Sequence, residues 1–70
     1  MKFRYEDTEN VIFKVFHRRK TVAIGYWDIT EKGEEVLYWH LPVNQGQPVE
    51  WHCAKSEEEF EKDLEALLTE

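Results

Sequence analysis

Two runs rich in β-branched and aromatic residues, within residues 21–41, flank a short polar segment that ends in Gly33. This pattern predicts a β-hairpin with the loop at residues 31–33 and glycine at the position that needs a positive φ. With that loop, Tyr26 lies opposite Tyr38 and Ile24 lies opposite His40. The hairpin is the element around which we expect the rest of the chain to be organised.

Both faces of the predicted hairpin are apolar. One face carries Val22, Ile24, Tyr26, Val36, Tyr38 and His40, and the other carries Ala23, Trp27, Ile29, Leu37, Trp39 and Leu41. A hairpin with one face in water alternates apolar and polar residues instead. We therefore expect that both faces require a cover.

Shorter alternating segments predict further strands at residues 2–6, 11–18 and 49–54. Arg18, Arg19 and Lys20 must form the tip of a hairpin, and the absence of Gly and Asn there leaves its turn type and register open. Gly25, inside the third strand, predicts either a bulge or the close approach of a ring or backbone.

The period then changes to that of a helix. Ser56 and Glu59 have the spacing of a capping box, and an apolar stripe follows at Phe60, Leu64, Leu67 and Leu68. We predict a helix over residues 57–69 and an α+β fold: an antiparallel meander of four or five strands with one C-terminal helix packed on one face. A helix of about 13 residues is roughly 20 Å long, so it covers about half of one sheet face. The remaining apolar surface predicts an association site.

Seventy residues predict a single domain, residues 1–70, with the sheet in 2–54 and the helix in 57–69. The single cysteine and the lack of a long apolar run predict a cytoplasmic protein that does not enter a membrane. The formal charge is −6, and residues 55–70 hold two basic and seven acidic side chains, or −5 of that total. Such a balance argues against general affinity for nucleic acid.

We predict neither a catalytic nor a metal site, and no cofactor or small-molecule substrate. Ser56 is used as a helix cap, and Cys53 points away from His52 because neighbours in a strand face opposite sides. The best metal arrangement in the sequence, His40 and His52 with Glu50, requires His40 to pair with Glu50.

Single-stranded nucleic-acid binding is the alternative function. Such binders combine a basic track with rings on which bases stack. The candidate basic contacts are Lys14, His17, Arg18, Arg19 and Lys20. In layout, an antiparallel sheet followed by a C-terminal helix resembles the single-stranded-DNA-binding transcriptional coactivators, although no residue motif of that family is matched.

Our first expectation is a small non-enzymatic protein-interaction module. Its partner is expected to be a second copy in a homodimer or another protein. In the latter case, the chain could act as an inhibitor or regulator of a larger partner. The expected contact residues on the aromatic sheet face are Tyr26, Tyr38, Trp27, Trp39 and His40.

Overall fold

The computed structural model describes residues 2–8 and 12–69. Its strands are β1 Arg4–Asp7, β2 Ile12–His17, β3 Lys20–Ile29, β4 Glu35–His40 and β5 His52–Ala54, and its helix is α1 Glu57–Leu68. The strands form one antiparallel sheet in the order β1-β2-β3-β4-β5. The predicted α+β meander with one C-terminal helix is confirmed.

The central hairpin has the predicted register, with Tyr26 opposite Tyr38 and Ile24 opposite His40. Gly33 has a φ of 82°. The backbone N–H of Thr30 donates to the carbonyl of Glu34 at 2.9 Å, and that of Gly33 donates to the carbonyl of Thr30 at 2.8 Å. The glycine therefore closes a loop whose ends are fixed by the flanking strands.

The β2–β3 hairpin turns through two residues, Arg18 and Arg19, whose φ angles are 53° and 66°. Positive φ at both central positions is the mark of a type I′ turn, which usually contains Asn and Gly. The register shifts between Val15 and Phe16, opposite Val22. Our placement of Val22 on the same face as Tyr26 is wrong, because this shift lets Val22 pack against the core.

Gly25 is a site of close approach, and the bulge lies elsewhere. A Cβ at this position would lie 2.9 Å from the carbonyl oxygen of Tyr38 and 3.1 Å from both the Phe13 ring and the Trp39 Cβ. The absent side chain leaves room for these neighbours, so the sheet can bring an aromatic ring over β3.

The core lies between one face of the sheet and α1. Its buried residues are Phe13, Val15, Ala23, Leu37, Trp39, Ala54, Phe60 and Leu64. We call this side of the sheet the helix side and the other side the open face. Phe60 and Leu64 have no exposed surface, so the predicted apolar stripe anchors the helix.

The capping box is formed with one change of partner. The Ser56 hydroxyl accepts a hydrogen bond from the Glu59 N–H at 3.1 Å, whereas the Glu59 carboxylate accepts from the N–H of Lys55 at 3.2 Å. The helix ends at Leu68, and the N–H of Thr69 donates to the carbonyl of Glu65.

Three predicted strands have different limits, since the second ends at His17 instead of residue 18. The first covers Arg4–Asp7 instead of residues 2–6, and the last covers only His52–Ala54 instead of 49–54. Residues 41–51 have no regular strand or helix, because a chain with prolines at 42 and 48 cannot donate a full ladder of hydrogen bonds. Val11 of the predicted second strand lies outside the described residues.

Candidate functional site: the open face of the sheet

No helix or strand in the described part of the chain covers the open face, although Val36 is only 6% exposed there and Trp51, from the irregular segment 41–51, packs on part of it. Strand alternation and register place the following residues on it: Arg4, Glu6, Ile12, Lys14, Phe16, Ile24, Tyr26, Asp28, Val36, Tyr38, His40 and Cys53. The centre of this set is apolar and aromatic, and the charged members lie on β1, on β2 and at the end of β3.

Four rings form a cluster at the β3–β4–β5 end of this face. The ring centroids of Tyr26 and Tyr38 lie 5.5 Å apart, and those of Tyr26 and Trp51 lie 5.6 Å apart. Trp51 meets His40 edge-on at 4.7 Å. These separations are those of favourable aromatic pairs, so the rings hold one another in place. Trp51 is still 51% exposed.

The imidazole of His40 has a defined orientation. Its Nδ1 lies 2.8 Å from the carbonyl oxygen of Leu41, which can only accept, so Nδ1 carries the proton in this hydrogen bond. The other ring nitrogen, Nε2, is then the atom that can accept from a partner when the ring is neutral. The cluster therefore presents one polar group within an aromatic patch.

The charges around the aromatic centre balance. Arg4 and Lys14 are basic, and Glu6 and Asp28 are acidic. The Arg4 guanidinium lies over the Phe16 ring, 4.7 Å from its centroid, and 3.4 Å from a carboxylate oxygen of Glu6. An apolar centre with a mixed charged rim is the usual anatomy of a protein–protein interface.

The structure brings together three of the five predicted contact residues: Tyr26, Tyr38 and His40. Trp39 is only 1% exposed, because its ring lies against Phe60 of the helix at 5.1 Å. It is a core residue, and its inclusion in the contact set is wrong.

Trp27 is 40% exposed, but it lies on the helix side. There it borders a small cavity with Tyr5, Leu37 and Glu57. Its grouping with the rings of the open face is also wrong, because odd-numbered residues after the bulge in β3 face the helix.

Trp51 is the functional candidate that the sequence analysis missed. We had placed it in a regular strand without assigning it to the contact set. The sequence indicates only that Trp51 and Cys53 lie on the same side of a strand, and it is the pairing of Cys53 with Tyr38 in the structure that places Trp51 near the open face.

The basic residues proposed for nucleic acid do not form one track. Lys14 is on the open face, whereas the Nδ1 of His17 donates a hydrogen bond to the backbone carbonyl oxygen of Lys2 at 2.9 Å, and its ring meets Phe3 edge-on. Arg18, Arg19 and Lys20, the basic tip, are exposed at the end of the sheet, where Arg18 and Arg19 form the turn and Lys20 begins β3. His17, Arg18, Lys20 and Val22 line a shallow groove with Leu68 of the helix.

The two histidines of the candidate metal site, His40 and His52, lie on opposite sides of the sheet. His40 lies on the open face, whereas the His52 ring stacks on Trp39 at 4.5 Å on the helix side. The pairing of His40 with Glu50 is wrong, because β5 pairs with β4 through Trp39 and His52, which brings Trp51 beside His40. Among the described residues, no three His, Cys, Asp or Glu side chains are close enough to hold a metal ion.

One titratable group on the helix side is strongly perturbed. Burial raises the pKa of Tyr5 far above its ordinary value, and the nearby carboxylate of Glu61, which accepts a hydrogen bond from the Tyr5 hydroxyl at 2.8 Å, raises it further. This pair ties β1 to the helix and lies away from the open face.

Comparison with known proteins gives no relative: no family model, curated protein or solved structure matches the chain. Within the described residues, no helix is long and apolar enough to cross a membrane.

Proposed function

We propose that this protein is a non-enzymatic binding module whose open face docks another protein. The observation that supports this most directly is the ring cluster of Tyr26, Tyr38, His40 and Trp51 on a sheet face that no described helix or strand covers. Tyrosine and tryptophan at the centre of a surface are typical of the residues that dominate binding energy.

The charges of the face favour a protein over a nucleic acid. Its two basic and two acidic side chains, Arg4, Lys14, Glu6 and Asp28, cancel, and the whole chain carries −6. Affinity for a phosphate backbone comes mainly from neutralising its charge and depends on a net positive surface. A surface with no net charge and an aromatic centre suits a protein partner of mixed charge.

Single-stranded nucleic-acid binding remains the second proposal, for one specific reason. Arg18 and Arg19 occupy backbone conformations that Asn and Gly adopt at lower cost, and strained residues of this kind often serve a function. Together with Lys14 and the Phe16 ring, they offer a few phosphate and base contacts near one corner of the open face.

The remaining features fit a binding role in a reducing compartment. Cys53 is a free, exposed thiol on the open face, which a cytoplasmic location would keep reduced. We interpret the acidic outer surface of α1 as a solubilising surface, since carboxylates facing water keep a small protein dispersed.

A titration against single-stranded oligonucleotide at several salt concentrations separates the two proposals. We expect no measurable binding near physiological salt. If the protein binds there with a micromolar Kd, and Arg18→Ala/Arg19→Ala lowers the salt slope by about two units, the nucleic-acid function is correct and the protein-docking proposal is overturned. Lys32→Ala, at the other hairpin loop, is the matched control and should not change the slope.

A photo-crosslinker attached to Cys53 gives the complementary test, because this single thiol reports on whatever occupies the open face. In extract of the source cells, we expect a protein adduct that disappears when Tyr38 is replaced by Lys. An adduct that persists in this variant, with the fold intact by circular dichroism, would contradict docking on the aromatic face.

A further inference from the structure

We propose that the partner on the open face is a second copy of this chain, packed face to face about a twofold axis. This inference rests on the proposed function and names the occupant of the same surface. The two sheets would form the middle of a four-layer arrangement, helix–sheet–sheet–helix, with Tyr26 and Tyr38 of both copies near its centre.

The exposed area has the size that such a dimer requires. The chain exposes 5721 Å². A monomeric protein of 8.5 kDa is expected to expose about 4,700 Å². The chain as a whole therefore exposes about 1,000 Å² more than a compact monomer of its mass, and an interface of standard size, with roughly 800 Å² buried on each partner, would remove most of this excess.

The shape agrees with the area. The radius of gyration is 12.2 Å, whereas a compact chain of 70 residues is expected to have about 11 Å. A single sheet with one helix on it exposes a large surface for its mass. Stacking a second sheet on the open face gives the two-sheet core that domains with exposed apolar sheets normally build.

The charge distribution permits this surface to meet itself. With two positive and two negative side chains, the open face does not repel its own copy. The helical surface behaves differently, because residues 55–70 carry a net charge of −5 and two copies would repel each other there.

The sheet edges are poor alternatives for self-association. The edge strand β1 has four residues, three of them charged, and the opposite edge strand β5 has three residues. Short and charged edges discourage the addition of a further strand. Of these three surfaces of the described residues, the open face, the helical surface and the sheet edges, the open face is therefore the one suited to a second copy.

Cys53 provides a distance that identifies the interface. It lies opposite Tyr38 on β5, about one and a half strands from the middle of the ring cluster. With sheets about 10 Å apart and strands about 4.8 Å apart, the two Cys53 Cα atoms should be about 10–20 Å apart in a face-to-face dimer. A dimer through the helices would place them on the order of 40 Å apart.

Two measurements test the proposal on the full chain. Sedimentation equilibrium should give twice the mass of 8.5 kDa at micromolar concentration. Spin labels on Cys53 should then show one intermolecular distance, in the short range. Cys53→Ser, unlabelled, controls for any effect of the label on association.

Charge placed within the interface should separate the copies. Tyr38→Lys should weaken dimerisation by about 30-fold or more, as expected for a residue at the centre of an interface. Trp51→Lys should act in the same direction, and it lies outside the strands, so the fold is expected to tolerate it. Ile29→Lys is the matched control: this residue is 65% exposed but on the helix side, and the change should leave the dimer intact.

Failure of the dimer proposal can be distinguished from failure of the wider protein-docking proposal. A monomer at high micromolar concentration, or a long Cys53 distance, overturns the second copy as the occupant, and so does a dimer that tolerates both Lys variants. The wider proposal of a protein-docking face then still stands if the Cys53 crosslinker captures a different protein in a manner that depends on Tyr38. It fails if the oligonucleotide occupies the face instead.

Discussion

Replacing the two arginines of the hairpin tip by the residues that a type I′ turn prefers should stabilise the domain. Arg18 and Arg19 have φ angles of 53° and 66°. A residue with a Cβ pays about 1–2 kcal/mol in the left-handed region, whereas Gly pays little and Asn pays less than most. The variant Arg18→Asn/Arg19→Gly should relieve about 2 kcal/mol or more of this strain.

An opposing effect reduces the gain. The tip borders a groove with Leu68, in the last turn of a helix that has no basic residue there. Cations near a helix C-terminus contribute about 0.3–1 kcal/mol at low salt. The net effect should therefore be a stabilisation of about 1–2 kcal/mol, and each kilocalorie corresponds to a rise in Tm of about 4–8 °C for a domain of this size.

Urea unfolding at 25 °C, in low and high salt, measures this effect. The gain should be larger in high salt, because salt screens the interaction with the helix but not the backbone strain. Arg18→Lys/Arg19→Lys is the control, since it keeps both the charge and the unfavourable φ angles, and it should leave stability nearly unchanged. A variant with Asn and Gly that is no more stable than the natural chain would refute the assignment of strain to the tip.

Two further predictions concern the packing of the helix. Leu64→Ala should destabilise the domain by about 2–5 kcal/mol, because Leu64 is fully buried. Leu68→Ala is the control and should cost much less, because Leu68 is 36% exposed. If urea unfolding shows a loss below about 1 kcal/mol for Leu64→Ala, α1 is not docked on the sheet as described. The raised pKa of Tyr5 means that the folded state keeps a proton that the unfolded chain releases above about pH 10, so stability from this group is present below that pH and is lost as the pH rises. The difference in unfolding free energy between the natural chain and Tyr5→Phe should therefore shrink between pH 9 and pH 11, and a constant difference would show that Tyr5 is not held protonated.

The central hairpin could be predicted because two independent signals agree on it. Gly33 fixes the loop, and the alternation on both sides then determines the pairing of Tyr26 with Tyr38. The helix was predictable for the same reason, since its N-terminal cap at Ser56 and its apolar stripe specify the same boundaries to within one residue. Local signals such as a cap or a turn glycine are sufficient to predict an element where they agree with the periodicity of its apolar residues.

The face that the helix covers could not be predicted from hydrophobicity, because both faces of the hairpin are apolar. Residue size decides it instead. Ala23, Gly25 and Ala54 are small and lie on the helix side, where they leave room for the Phe60 and Trp39 rings. Large residues on both strands of the open face hold a covering element further away. The inclusion of Trp39 in the contact set has a different origin: the predicted alternation already puts Trp39 on the face opposite to Tyr38, and the set combined residues of both faces.

The other errors come from segments whose register no local signal determines. At the tip, two arginines adopt a turn usually made by Asn and Gly, and the register shift opposite Val22 cannot be read from the residue types. Between β4 and β5, residues 41–51 form an irregular connection, so the ring of Trp51 reaches His40 at a place that strand alternation does not specify. Three of the four rings of the cluster were therefore predicted as contact residues, and its exposed tryptophan was not.

The basic tip and the acidic first turn of α1 both lie near ends of the helix, whereas the rings of the open face have no comparable role within the chain. Arg18 and Lys20 line a groove with Leu68, in the last turn of a helix that lacks basic residues there, and positive charge at this end is favourable to the helix dipole. The glutamates of the first turn complement the other end of the same helix. Both sets of charge lie at helix ends where their sign is favourable, so the case for an external partner depends less on them than on the open face. The rings of Tyr26, Tyr38 and Trp51 lie against one another on a face without a covering layer. Because their apolar surface is satisfied only when something packs on it, the open face is where a partner has the most free energy to gain.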